Sequence, residues 1–260
     1  MIEIPGGRDV QQGISRRPEF GFRRKVMISF EEFRDRWALD VERICRDVFK
    51  ENRTSISVKK EKVAVKNIMK ILDAVFSLSR KKGFQAMTMR DLCGESGLSM
   101  GALYSYFSGK GEIRSTINRQ GVTYVKEIIL ENIRPYENPT EKLTAAIETH
   151  LYMSEILRSW FYFSYMEAGS LMLEEKLEAM ESELAIERIF MGIIENGVEN
   201  GDFIQTDIEL TAAIIKAMMQ DWYLKRWKYK RRDITVQEYA RFIVNFVLTS
   251  IATKKSKENQ

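Results

Sequence analysis

The sequence predicts an all-α protein built in two parts, with one extra helix at the front. Three observations carry this. Only four prolines and fifteen glycines interrupt 260 residues. The stretches between them are rich in Leu, Ile, Met, Ala, Glu and Lys, which are good helix formers. Apolar residues in these stretches recur every three or four positions, the period of one helix face, and no alternating strand pattern stands out.

Composition narrows what such a chain does. A hydrophobic content of 44% supports a sizeable core. The two cysteines, Cys45 and Cys93, lie far apart with no CxxC partner, and His150 is the single histidine. A disulfide framework, a zinc site and a resident cofactor are therefore not expected, and a reducing cytoplasm is the simplest compartment. No stretch of 18 apolar residues is present, and the first 25 residues lack the apolar core of a signal peptide, so no membrane association is expected. The net charge of +4 is unevenly spread. Residues 1–60 carry 14 Lys/Arg against 10 Asp/Glu and residues 61–116 carry 9 against 5, whereas residues 117–260 carry 18 against 22. A polyanion would meet the N-terminal half.

Residues 1–28 combine Gly6, Gly7, Gly13, Pro18 and Gly21 with arginines and read as a flexible basic arm. Arg16, Arg17, Arg23 and Arg24 suit either a minor groove or a solubilising tail. Ser29 and Glu32 form a capping box for a helix whose apolar stripe is Phe30, Phe33, Trp37, Val41, Ile44 and Val48. Residues 52–58 read as a linker. The next helix runs from Lys59 to Lys82 and stops at Gly83. Two short helices follow, to about Tyr106. Further helices are expected from Gly111 to Arg134, from Pro139 to about Arg158, from Leu173 to about Asn196, and near 207–223 and 235–253. The domains are thus expected at 1–58, 59–115 and 116–260.

The stretch from Gly83 to Phe107 holds the most specific signal. Thr88 and Asp91 make a second capping box, which starts a short helix ending at Ser96-Gly97. Gly97 suits a tight turn that needs positive φ. Leu98 anchors that turn, and Ser99 caps the next helix. Two short helices joined by a glycine-containing turn are a helix-turn-helix unit, whose second helix enters the major groove of DNA. Gly101 and Ala102 permit close approach of that helix. Tyr104 and Tyr106 carry hydroxyls suited to phosphates, as are the helix N-termini at Thr88 and Ser99, and Lys110 adds charge to the same edge.

The run T-M-R-D-L-x-x-x-S-G-L-S-x-G-A-L-Y-x-Y-F-x-x-K, from Thr88 to Lys110, resembles the DNA-binding signature of the TetR family of bacterial regulators, over about Val63 to Ile117. The resemblance implies phosphate contacts from Thr88, Ser99, Tyr104, Tyr106 and Lys110, with Arg90, Met100, Gly101 and Ala102 facing the groove. Two positions depart from the pattern. Met100 stands where many members carry Lys or Arg, and Gly111 where an acidic residue is common.

The resemblance also implies a helical C-terminal domain that binds a ligand and pairs through its last two helices. On those helices Ile208, Ala212, Ile215, Met219 and Trp222 form one stripe, and Tyr239, Ile243, Phe246 and Val247 form another. Paired with their copies they would make a four-helix interface, or else pack within one subunit. The stretch Trp160–Met166 is apolar nearly all round, which marks either a deep core or a cavity wall. With His150, Met153 and Leu157 beside them, Trp160, Phe161, Phe163, Tyr165 and Met166 are the candidate wall of a pocket for a hydrophobic small-molecule effector. Met172 and Met180 add adaptable surface. The basic run from Lys225 to Arg232, with Trp227 and Tyr229 interleaved, reads as a solvated loop, a nucleic-acid patch or a site for an anionic head group.

These readings give a homodimeric, ligand-responsive regulator of a palindromic double-stranded operator, most simply a repressor. Ligand would act by changing the separation of the two recognition helices. No catalytic or metal-binding residues are nominated. A ligand-independent DNA-binding adaptor is the first alternative. An all-helical enzyme is the second, and it lacks a nucleophile–base pair, a carboxylate pair or a metal cluster in the sequence.

Overall fold

The computed structural model describes residues 28–37, 41–53, 56, 58–167 and 173–253. The basic arm through Arg24, Met172 and the lysine-rich tail lie outside the described residues. Twelve helices follow in order: α1 Phe30–Trp37, α2 Val41–Glu51, α3 Glu61–Lys82, α4 Met89–Ser96, α5 Met100–Tyr104, α6 Lys110–Ile133, α7 Pro139–Ile156, α8 Arg158–Glu167, α9 Leu173–Glu199, α10 Ile208–Leu224, α11 Arg226–Arg231 and α12 Val236–Ile251. Among the described residues there is no strand, and Phe203 and Ala252 form an isolated antiparallel bridge. No helix there is long and apolar enough to cross a membrane.

The extra N-terminal helix is in fact two. The capping box at Ser29 is present, with Glu32 N donating to Ser29 Oγ at 3.1 Å and Ser29 N to Glu32 Oε2 at 2.7 Å. The stripe read as one face serves two partners. In α1, Phe30 and Phe33 pack edge-on against Tyr152 of α7 at 5.5 and 5.4 Å between ring centroids. In α2, Ile44, Val48 and Phe49 are buried where the helix lies against α3 and α6. The first half of the stripe is thus buried against α7 and the second against α3 and α6.

α7 is the axis of the C-terminal domain. Asn138 caps it, accepting from Thr140 N at 2.8 Å, and Pro139 supplies a preset φ at its first position. α6, α9, α10 and α12 surround it, so even its polar residues Glu148, Thr149 and His150 are buried. α10 and α12 pack antiparallel, with Trp222 stacked on Tyr239 at 5.1 Å and the Tyr239 hydroxyl donating to Met218 O at 2.6 Å.

Glu148 gives this packing a pH dependence. It is 2% exposed, its Oε1 has no partner, and it borders a void of about 40 Å³ beneath α1, with Arg36, Tyr136 and Tyr152 around it. Burial pushes its pKa up to about 8, against a weaker opposing pull from Arg241 on α12. The folded state therefore keeps the proton that the unfolded chain releases above its ordinary pKa of 4.5. Stability falls as pH rises from about 4.5 towards 8 and levels off above it. Glu148→Gln removes this penalty. We expect it to match the parent near pH 5 and to exceed it at pH 8 by on the order of 2 kcal/mol, read from thermal melts at the two pH values. Parallel curves for the two proteins would contradict the assignment.

Candidate nucleic-acid interface and ligand cavity

The α4–α5 unit is fixed by its caps. Thr88 Oγ1 accepts from Asp91 N at 3.1 Å, and Thr88 N donates to Asp91 Oδ2 at 2.8 Å. Lys82 Nζ lies 2.6 Å from the same carboxylate and, with the Thr88 hydrogen bonds, holds its pKa well below the usual carboxylate range. Gly97 turns the chain at φ 70°, where a side chain would be strained. Ser99 Oγ then accepts from Ala102 N at 3.2 Å. Leu92, Leu103 and Phe107 are buried beneath. This leaves Arg90, Ser99, Met100, Gly101 and Tyr104 exposed, with Ala102 half-buried between them.

Two of the candidate phosphate contacts sit differently. Tyr106 is 2% exposed and its hydroxyl accepts from Asn67 Nδ2 of α3 at 2.9 Å. Tyr106 follows buried Leu103 by three residues and shares its inward direction, whereas Tyr104 points out. Tyr106 therefore acts as a packing residue that ties α5 to α3. Lys110 is half-buried, with Nζ donating to Phe84 O at 3.2 Å and Gln85 O at 2.9 Å. It closes the loop between α3 and α4 and keeps one N–H to spare.

The C-terminal domain holds a cavity of about 740 Å³ among α6, α7, α8, α9 and α10. His150, Leu157, Trp160, Phe161, Tyr165 and Met166 line it, as does Met180. Met153 and Phe163 do not. Met153 is fully buried, and Phe163 packs edge-on against Phe76 of α3 and Phe84 at 5.6 and 5.4 Å. One part of the cavity wall is polar. Lys216 of α10, with its side chain 5% exposed, pairs with Glu183 of α9 at 2.7 Å. Burial, helped by the Lys216 charge, pushes the His150 pKa down to about 3, so the ring is neutral. His150 Nδ1 and Asn118 Oδ1 are buried without a hydrogen-bond partner. Among the described residues no group of three or more His, Cys, Asp or Glu is placed to hold a metal.

This arrangement of a capped helix-turn-helix unit below a hollow helical domain matches known proteins. Residues 71–116 match the family model described as bacterial regulatory proteins, tetR family, and residues 136–251 match that of the tetracyclin repressor-like C-terminal domain. The chain belongs to the tetR family. The HTH-type transcriptional repressor KstR2 of Rhodococcus jostii is 25% identical over 185 residues, covering 70% of this chain and 90% of the relative. FadR of Bacillus subtilis, solved in complex with stearoyl-CoA, superimposes with a TM-score of 0.58 at 19% identity, covering 69% of this chain and 96% of that one. AibR, solved with isovaleryl coenzyme A and operator DNA, gives 0.61 at 17% identity, covering 69% and 97%.

In this tetR-family chain several residues matter that the sequence did not flag. Lys216 and Glu183 are 33 positions apart and carry no motif. Gly121 sits under the Trp160 indole, where an added Cβ would lie 2.6 Å from Nε1. That Nε1 donates to Ile117 O at 2.7 Å, which fixes the ring against α6 as part of the cavity wall. Glu167, the last residue of α8, accepts from Ser79 Oγ at 3.0 Å and from Phe84 N at 3.4 Å. The helix that lines the cavity thus holds the α3–α4 loop, the loop that Lys110 also closes.

The stripe nominated for subunit pairing is corrected by the structure. Ala212, Ile215, Met219, Trp222, Tyr239, Ile243 and Val247 are buried within the subunit, and Ile208 is half-buried. Of the nine, only Phe246 is exposed. Both faces of α10 and α12 are apolar, and one face of each packs into the core, α12 and α10 both lying against α7. The other face presents Leu210, Ile214, Phe242 and Phe246 to solvent at 54–63% exposure, with the two phenylalanine rings stacked at 6.3 Å. The basic run is also corrected. It forms α11, because Tyr229 is buried against Trp222 and Tyr239 at 5.1 and 4.6 Å and its hydroxyl bonds to Asp221.

Proposed function

We propose that the protein is a homodimeric, cytoplasmic repressor that leaves a palindromic operator when an acyl-coenzyme A thioester enters the cavity. The exposed edge of α5 supports the DNA reading. Gly101 and Ala102 admit the groove wall, while Thr88, Ser99, Tyr104 and the spare N–H of Lys110 meet phosphates. The unpartnered face of Leu210, Ile214, Phe242 and Phe246 supports pairing of two copies, and a two-fold protein suits a two-fold operator.

The observation that carries the effector reading is the cavity itself. Its volume of about 740 Å³ lies within the range of small-molecule sites, and its wall is mostly apolar, with a polar cluster at His150, Asn118, Lys216 and Glu183. An acyl chain suits the apolar part, and the thioester carbonyl or a nearby amide suits the unpartnered polar atoms. The complexes of FadR with stearoyl-CoA and of AibR with isovaleryl coenzyme A and operator DNA favour that class. Ligand that displaces α8 would pull Glu167 from the α3–α4 loop and so bias the DNA-binding unit.

The test titrates acyl-CoA thioesters of rising chain length into the protein–operator complex. Each added methylene should tighten the effector about fourfold, the equivalent of about 0.8 kcal/mol, until the cavity is full. DNA binding indifferent to every chain length would remove this effector class. Glu167→Ala, which removes the acceptor of both hydrogen bonds, should bind operator and ligand separately much as the parent does. Its ligand-induced loss of DNA affinity should shrink by roughly five- to tenfold, a coupling change of about 1–1.4 kcal/mol. Undiminished coupling would take Glu167 out of the route.

A further inference from the structure

The basic helix α11 has no part in the function proposed so far. Six cations fall within eight residues, Lys225 to Arg232, in a C-terminal half with an overall acidic balance. Three of them are neutralised. Lys225 and Lys228 pair with Asp221, and Arg226 pairs with Glu155 at 3.0 Å. Lys230, Arg231 and Arg232 are exposed, with no ion pair among the described residues, and Asp233 is the acid that follows them. Trp227 is 67% exposed on the same short helix. Tyr229 and Asp221 pin α11 to the body of the domain, so this charge sits on a fixed protrusion.

Its place in the fold decides its partner. The Arg226–Glu155 pair puts α11 at the C-terminal end of α7. From the adjoining start of α8, Ser159 Oγ accepts from Arg80 of α3 at 2.9 Å. This is the end of the domain that carries the helix-turn-helix unit. The opposite end, at the corner between α6 and α7, offers Arg134 between Glu131 and Glu137. The N-terminal arm also joins the fold at the α11 end. Tyr152 donates to Ile28 O at 3.2 Å, and Phe30 N to Gln237 Oε1, at the start of α12, at 3.4 Å. Finally, α11 connects α10 and α12, the two helices that carry the unpartnered apolar face. In a dimer paired through that face, both copies of α11 lie near the two-fold axis and on the side of the DNA-binding units.

We infer that α11 is a second DNA-binding element, in which Lys230, Arg231 and Arg232 of both subunits contact backbone phosphates at the centre of the operator, between the half-sites read by α5. This rests on the dimeric, operator-binding reading above. The contacts carry no base specificity, so they raise affinity and set how far the half-sites are apart.

The test compares the parent with the Lys230→Ala/Arg231→Ala/Arg232→Ala variant, by fluorescence anisotropy on the footprinted operator over a range of salt. Each phosphate contact contributes about 0.9 to the slope of log K against log salt. Three lost contacts per subunit, six in the dimer, should flatten the slope by about 5. A matched variant at distant surface cations, Lys126→Ala/Arg134→Ala/Lys142→Ala, should leave the slope unchanged. Since Arg232 also closes the C-terminus of α11, Lys230→Gln/Arg231→Gln serves as the second variant, with dimer mass and melting temperature checked for both. A duplex with uncharged methylphosphonate linkages at its centre should weaken the parent and leave the triple variant unaffected. An unchanged slope, or losses from protein and DNA changes that simply add, would overturn the inference. So would a triple variant with normal DNA binding and a lost response to acyl-CoA, which would assign α11 to the ligand's phosphates. A parent protein that binds no operator would instead refute the underlying DNA reading.

Discussion

The Gly101→Glu variant is expected to stay folded and to lose operator binding by at least a hundredfold. Gly101 is exposed on α5, and a Cβ added there meets nothing within 4 Å. A non-glycine residue inside a helix is favoured by up to about 1 kcal/mol, so melting should be unchanged or slightly raised. The effect falls wholly on the complex. The glutamate would occupy the space where the groove wall approaches the helix backbone, and its charge would face phosphates. A hundredfold loss corresponds to about 2.7 kcal/mol, a modest cost for one clash and one misplaced charge at a close-packed interface. Anisotropy titrations and thermal melts on the same preparation separate the two outcomes. Retained operator affinity would mean that α5 is not the reading helix.

The Ile214→Glu/Phe242→Glu variant should be monomeric at micromolar concentration and bind the full palindrome 10²- to 10⁴-fold more weakly. Both side chains are exposed in the subunit, at 59% and 63%, so the charges cost little in the monomer. Buried against a second copy, unpaired carboxylates would be strongly unfavourable. Affinity for a single half-site should survive, because the α4–α5 unit is untouched. Sedimentation, followed by titration of whole and half operators, reads both effects. A dimer of parental stability would place the interface elsewhere on the surface.

The sequence makes the caps and turns of the DNA-binding unit plain, since Thr88, Asp91, Gly97 and Ser99 act through local chemistry that a short window contains. The same window hides the fate of Tyr106, whose partner Asn67 is 39 positions away. α10 and α12 expose the limit of periodicity. A stripe such as Ala212, Ile215, Met219 and Trp222 announces burial but not the partner. With Leu210 and Ile214 on the opposite face, two apolar stripes compete and only packing against α7 decides between them. The aromatic run in α8 marks where the cavity lies. Its polar cluster is invisible in sequence, because Lys216, Glu183 and His150 come from three helices and are ordinary in each. The stripe of α1 and α2 is a case of the same kind. One face was read, and different helices bury its two halves.

DNA binding by this chain is most directly tested by its salt dependence on the DNA upstream of its own coding sequence. With the Lys110 ammonium of each subunit on a phosphate, log K should fall linearly with log salt, with a slope of roughly −2 from these two cations alone; the neutral contacts of Thr88, Ser99 and Tyr104 add affinity without releasing counterions. That slope should collapse in Gly101→Glu. No saturable binding, or binding indifferent to salt, would contradict it.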